Sequence, residues 1–207
     1  MQLVPNTLTN ERTVAFVDYH NTLHALRREG RQTDLAALRA YLAEGRHLVE
    51  AFVYVATHPQ PEHQLADEAA LHRLRYHGFL VRTKVGQVLP NGRLKCDLDM
   101  EMALDVLEFV VRARPDIVVL ATGDGAFAPL AQRLRMQGIR VEVASTPGSL
   151  SAHLRASANG FIDLTRAGRP AGPLPLPDEL PAEVELEGEL FPELDLTADE
   201  APLAGLP

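Results

Sequence analysis

The sequence predicts an α/β domain in which a mostly parallel sheet carries helices on both faces, and three observations predict it. Apolar runs such as Val14-Ala15-Phe16-Val17 and Ile117-Val118-Val119-Leu120 read as strands buried on both faces. Amphipathic segments of helical period alternate with these runs, as in consecutive βαβ units. The chain has 207 residues, 46% hydrophobic and 23% charged, enough for one domain with its own core.

Each element follows from local chemistry. Strand 13–18 closes at Asp18, where Tyr19-His20-Asn21 leads out of the buried run. Two helical segments come next, the second with the apolar stripe Leu35, Leu38, Tyr41 and Leu42, and they precede strand 48–56. Leu65, Ala69, Leu71, Leu74 and Tyr76 mark the helix before strand 79–85. Pro90-Asn91-Gly92, between Val85-Gly86-Gln87-Val88-Leu89 and Arg93-Leu94-Lys95, signals a short hairpin. A long helical pattern opens at Asp97 and runs to about Arg112, with acids in its first turn, where a helix N-terminus favours them. Strands 116–121, 139–144 and 160–164 complete the order, the last after a short helix, and no internal repeat is present.

Beyond Leu164 the composition changes. From Arg166 to Pro207 two arginines stand against ten acidic residues, a net charge of −8 that equals the formal charge of the whole chain, so the body is close to neutral. Prolines punctuate this stretch, which predicts a disordered acidic tail over 166–207 beside a domain over 12–165. Within it, Glu183-Val184-Glu185-Leu186-Glu187-Gly188-Glu189-Leu190-Phe191 alternates acidic and apolar residues and suits a sheet edge or a groove of a protein partner. A solubilising tail is the first expectation, and covering a nucleic-acid site on the domain as a charge mimic is an alternative to it.

Several function classes are set aside. No apolar run of membrane-spanning length and no signal peptide is expected, and the single Cys96 removes an internal disulfide or cysteine zinc site, which points to the cytoplasm. No His-x3-His pair is accompanied by an adjacent acid, so a zinc hydrolase of that kind lacks its ligands. A homo-oligomer remains compatible with the sequence.

The chemistry concentrates in Asp18, Asp99 and Asp124. Asp18 and Asp124 each stand just beyond a buried strand, where open parallel sheets bind ligands, and Asp99 opens the long helix. Converging carboxylates suit a hard divalent cation and phosphodiester chemistry, although Asp is also a favoured cap and turn residue. Asp105, six residues after Asp99, lies about 240° around the helix and cannot share its site. Arg27, Arg28 and Arg31, then Arg73 and Arg75, then Lys84, Arg93 and Lys95 supply basic rims. By position, Lys95 and Arg93 are candidates to neutralise substrate charge.

Three blocks carry a resemblance. Val17-Asp18-Tyr19-His20-Asn21, then Lys95-Cys96-Asp97-Leu98-Asp99 with Asp105 following, then Thr122-Gly123-Asp124-Gly125-Ala126-Phe127-Ala128-Pro129-Leu130 resemble the signature blocks of the NYN domain. That family belongs to the PIN-like nucleases, and the likeness is to its LabA-like bacterial branch. Leu154 to Leu164 resembles its closing helix and strand, so the likeness spans residues 12–165. The resemblance implies a Rossmann-like (PIN-like) sheet and a ribonuclease acting on RNA. It further implies Mg²⁺ or Mn²⁺ held by Asp18, Asp99 and Asp124, with Asn21 beside them to orient a water or a phosphate oxygen. The chain departs from the family's common Gly-Asp-Ser-Asp-Phe at Gly125 and Ala126, and has Asn159 where Asp is frequent. One carboxylate fewer weakens the field that holds a cation, so a binding module for RNA or protein is the alternative expectation.

A phosphatase reading ranks below both. Asp18-Tyr19-His20-Asn21-Thr22-Leu23 also resembles the first motif of haloacid-dehalogenase-type phosphatases, with Thr57, Lys95 and Gly123-Asp124 following in a compatible order. His20 replaces that motif's second acid, which removes the usual acid/base, and Ala128 replaces a later one.

Overall fold

The computed structural model describes residues 10–32, 35–90, 92, 94–167 and 169–170. Residues 171–207, which hold nearly all of the expected acidic tail, and Arg93 lie outside the described residues.

Along the chain, β1 (Arg12–Asp18) leads into α1 (Tyr19–Arg28), the two-residue β2 (Arg31–Gln32) and α2 (Leu35–Ala43). β3 (His47–Thr57), a short 3-10 turn (Pro61–His63), α3 (Gln64–Tyr76) and β4 (Leu80–Val85) follow. β5 (Gln87–Val88) and β6 (Leu94–Lys95) form the hairpin and pair antiparallel, with the Gly92 N–H donating to the Leu89 carbonyl at 2.9 Å between them. α4 (Asp99–Ala113), β7 (Ile117–Ala121), a 3-10 turn (Gly125–Phe127) and α5 (Ala128–Met136) come next. β8 (Arg140–Ser145), α6 (Ala152–Ser157), β9 (Gly160–Asp163) and β10 (Arg169–Pro170) end the described chain.

The main sheet has six strands in the order β4-β3-β1-β7-β8-β9, and every pairing in it is parallel. From β1 the chain builds outward through β3 and β4, then returns to the other side of β1 with β7 and builds outward again. The order reverses between β1 and β7, so their carboxyl ends frame the crevice where such sheets bind ligands.

Both faces are covered, which explains the unbroken apolar runs of the central strands. Ala15, Val17, Val53, Val119 and Ala121 pack on one face against α1, α2 and α3, through Leu26, Leu38, Leu42 and Leu74. On the other face Val14, Phe16, Phe52, Val118 and Leu120 meet Met102 and Val106 of α4 and Leu134 of α5. Phe16 and Phe52 stack with centroids 4.9 Å apart, and Phe109 of α4 packs edge-on against both.

Two features depart from the expected pattern. On α3 the buried side chains are Ala70, Leu71 and Leu74, while Leu65 and Tyr76 are 80% and 81% exposed. All five apolar residues that mark this helix lie in α3, but at 100° per residue Leu65 and Tyr76 fall on the side opposite the buried trio. In addition, Arg169–Pro170 pairs antiparallel with Arg31–Gln32, a ribbon that the sequence pattern does not announce. No helix among the described residues is long and apolar enough to cross a membrane.

Candidate active site

Asp18 is the last residue of β1 and the N-cap of α1, and its Oδ1 accepts the backbone N–H of Asn21 at 3.1 Å. Asp124 plays the same local part beyond β7, where its Oδ1 accepts the N–H of Ala126 at 2.8 Å and caps the 3-10 turn. Capping and site placement are therefore the same fact in this fold: the residue that starts each helical turn also stands at the carboxyl end of its strand. Each cap uses one carboxylate oxygen.

Asp99 reaches the same place from α4. Asp97 receives the Asp99 N–H on its Oδ1 at 3.0 Å, which fixes the start of the helix. Lys84 Nζ donates to the Asp97 carbonyl at 2.7 Å and to Glu101, tying the helix start to β4.

The three carboxylates act on one another in every pair. Burial foremost, and then the charges of Asp99 and Asp124, raise Asp18 from 3.8 to about 6, against the lowering effect of the Asn21 and His20 backbone N–H groups. Asp99 is raised by burial first and then by Asp124, Asp97 and Glu101. Asp124 itself is exposed. Such mutual repulsion is what an added cation would relieve.

Asn21 holds the two halves of the crevice in place. Its Oδ1 accepts the N–H of Gly123 at 2.8 Å, while Thr22 Oγ1 donates to the Ala121 carbonyl at 3.0 Å. Gly123 has no room for a side chain, since a Cβ would lie 2.2 Å from the Ser149 carbonyl oxygen. Gly125, where the family commonly has Ser, is filled from outside: a Cβ there would lie 2.7 Å from Ser151 Oγ.

The remaining candidates are placed as follows. Lys95 is exposed on β6 of the hairpin that precedes Asp99. Asp105 points away from the three acids, as helix geometry required, and accepts from Tyr54 Oη at 3.0 Å and Arg82 Nε at 3.1 Å. His20, at the phosphatase motif's second acid, accepts the Ala56 N–H on its Nε2 at 3.2 Å and is held below its ordinary value mainly by burial. Its ring is thus occupied in joining the start of α1 to β3. Sequence reasoning passed over the neighbouring His58, although it follows β3 as Asp18 ends β1.

Metal-binding capacity is limited in a specific way. Among the described residues no three His, Cys, Asp or Glu side chains gather closely enough to enclose a metal ion. The acids interact across the crevice without forming a closed cage.

The chain is similar to known proteins over the folded region. The sequence model of the NYN domain matches residues 12–165. The "Low amplitude and bright protein LabA" of Synechococcus elongatus is 30% identical over 161 residues, 74% of this chain and 83% of that protein. A crystal structure of a Vibrio parahaemolyticus protein of unknown function superposes with a TM-score of 0.65 at 25% identity, covering 77% of this chain and 96% of the other.

Proposed function

The chain belongs to the NYN domain family of PIN-like nucleases, and from that premise we propose that it is a metal-dependent ribonuclease hydrolysing RNA phosphodiester bonds at Asp18, Asp99 and Asp124. The observation that carries the reading is the mutual charge interaction of these acids at the point where strand order reverses, strong enough with burial to lift Asp18 to about 6. Carboxylates held this way by capping bonds and a helix start would be a poor investment for stability alone, because each raises the cost of ionising the others.

The chemistry then divides among the residues. A bound Mg²⁺ or Mn²⁺ supplies Lewis acidity toward a phosphoryl oxygen and lowers the pKa of a coordinated water. Asp18 and Asp124 keep one oxygen each beyond their capping bonds for this task, and Asp99 faces them from α4. Because the Asn21 carbonyl is committed to Gly123, only its Nδ2 donors remain to orient a phosphate oxygen or the attacking water. Lys95, exposed near the start of α4, can offset substrate charge. The lone Cys96 fits a reducing cytoplasm.

The test is incubation of a labelled mixed-sequence RNA with the full chain in Mg²⁺, Mn²⁺ or EDTA, followed by analysis of the new ends. Cleavage that needs the metal and leaves no 2′,3′-cyclic phosphate is expected, since the attacking oxygen comes from water rather than from the neighbouring 2′-hydroxyl. RNA binding without cleavage would instead support the binding-module reading that Ala126 suggests.

A further inference from the structure

The apolar residues of α4 do not all face the sheet. Met102, Val106 and Val110 are buried against it, whereas Met100, Leu104 and Val111 are 67%, 59% and 71% exposed, with Leu107 half-buried between them. At 100° per residue, Met100, Leu104, Leu107 and Val111 fall within an arc of about 60°, and the centre of that arc lies roughly 130° from the buried trio. Their spacing of four, three and four residues is that of the seam along which paired helices interlock. A single exposed apolar side chain needs no explanation, but a line of them along one helix marks a contact surface.

This seam carries opposite charges at its two ends. Continued by three residues in each direction, the same alternation reaches exposed Asp97 before the helix and exposed Arg114 at its C-cap. Both are held in place: Asp97 accepts the Asp99 N–H at 3.0 Å, and the Arg114 N–H donates to the Val110 carbonyl at 3.0 Å. When a second copy lies antiparallel across a two-fold axis midway between Leu104 and Leu107, Leu104 meets the partner's Leu107 and Met100 meets the partner's Val111. Asp97 then meets the partner's Arg114, and the two helix dipoles oppose each other favourably. A parallel pair would instead set like charges against each other at both ends. Glu101 and Glu108 border the seam, but Lys84 and Arg112 of the same chain already offset their charges. The same acids disfavour other occupants, since RNA and residues 171–207, which carry acidic and no basic side chains, would both bring negative charge beside them.

We propose that α4 is the self-complementary contact of a homodimer, in which two copies pack antiparallel along Met100, Leu104, Leu107 and Val111. The pairing does not depend on the ribonuclease reading. It braces the start of α4, because the partner's Arg114 stands beside the Asp97 carboxylate that fixes Asp99. A helix about 22 Å long supplies a small interface, so the dimer dissociates on dilution rather than being permanent.

Sedimentation equilibrium of the full chain between about 1 and about 200 µM reads the association directly. Wild type should pass from monomer to dimer within that range, and less readily as salt is raised. Leu104→Glu, at an exposed position outside the core, should raise the dissociation constant by about 10-fold or more. Arg114→Asp should raise it by about 10-fold, because a carboxylate then meets the partner's Asp97, and Asp is well suited to the left-handed backbone there, where φ is 46°. Asp97→Arg added to Arg114→Asp should bring it back to within about 3-fold of wild type, a recovery that damage to either copy alone does not produce. A wild type that stays monomeric throughout overturns the proposal, as does a dimer that Leu104→Glu leaves intact. A dimer indifferent to Arg114→Asp overturns the antiparallel arrangement. A monomeric wild type whose C-terminal residues are cut faster by protease in Leu104→Glu would give the seam to the acidic residues 171–207 instead.

Discussion

The Oδ1 of Asn21 accepts the backbone N–H of Gly123 at 2.8 Å, a bond between residues 102 positions apart that fixes the loop after β1 against the loop after β7. Asp18 and Asp124 flank this bond in sequence, so their relative position depends on it. Asn21→Ala leaves the buried Gly123 N–H without its acceptor and should cost about 1–3 kcal/mol in urea denaturation. Because it loosens the acids as well, RNA cleavage should fall by about 10- to 100-fold. An alanine variant as stable and as active as wild type would show that the bond positions nothing.

Ionised Asp18 carries a stability cost. Its value is raised in the folded chain from 3.8 to about 6, so below about pH 3.8 it is protonated in both folded and unfolded states and the cost is absent. The penalty grows as pH rises through that window and is complete above about pH 6. Asp18→Asn should therefore stabilise the metal-free chain by about 3 kcal/mol at neutral pH and by nearly nothing near pH 4. Thermal melts across this range decide the matter, and a stabilisation that does not vary with pH would remove ionisation of the buried carboxylate as its cause.

The two glycines around Asp124 should respond differently to alanine. At Gly123 the added carbon meets the Ser149 carbonyl oxygen at 2.2 Å and its carbonyl carbon at 3.0 Å, backbone that cannot step aside. The expected loss is about 3 kcal/mol or more, with displacement of the Asp124 loop. At Gly125 the obstacle is the Ser151 hydroxyl at 2.7 Å, which can rotate, so the loss should stay below about 1 kcal/mol. Denaturant midpoints of the two variants provide the comparison, and equal losses would contradict it.

Away from the site, Glu142 of β8 joins Arg46, between α2 and β3, at 2.9 Å and Arg140 at 2.7 Å, with the Arg46 and Glu142 side chains 8% and 6% exposed. Burial pushes the Glu142 carboxyl up, but the hydrogen bonds and charges of the two arginines outweigh it and hold it below the ordinary 4.5. This contribution is present above about pH 4.5 and disappears as pH falls through the depressed folded value. Glu142→Gln takes the buried counter-charge from the Arg46 guanidinium, leaving it only the exposed Glu44 carboxylate at 3.1 Å, and should cost about 1–3 kcal/mol at pH 7. The difference from wild type should shrink in acid, as stability measured from pH 7 down to pH 3 would reveal.

Much of this architecture can be read from the chain. The strand ends at Asp18 and before Asp124 were legible because fully buried parallel strands leave unbroken apolar runs that stop abruptly at a polar residue. The α4 start was legible from its acids, and the hairpin from Pro90-Asn91-Gly92. The buried face of α3 was not, because Leu65 and Tyr76 are apolar yet point away from the sheet, and a count of apolar residues ignores direction. The β2 and β10 ribbon is too short to show a period. His58 and Asp67 gain meaning only when the turn after β3 folds back onto it, and spacing alone does not announce that pairing.

The central claim is that Asp18, Asp99 and Asp124 act together on RNA through a divalent cation. Its most direct measurement is the rate of Mn²⁺-dependent cleavage of a labelled RNA by wild type, Asp18→Asn, Asp99→Asn and Asp124→Asn proteins, each shown to be folded and to bind the RNA in EDTA. Cutting by wild type that disappears in all three variants, with RNA binding retained, is the predicted result. Cutting that survives in any two of them, or a folded wild-type chain that binds RNA and never cuts it in Mg²⁺ or Mn²⁺, would contradict the account.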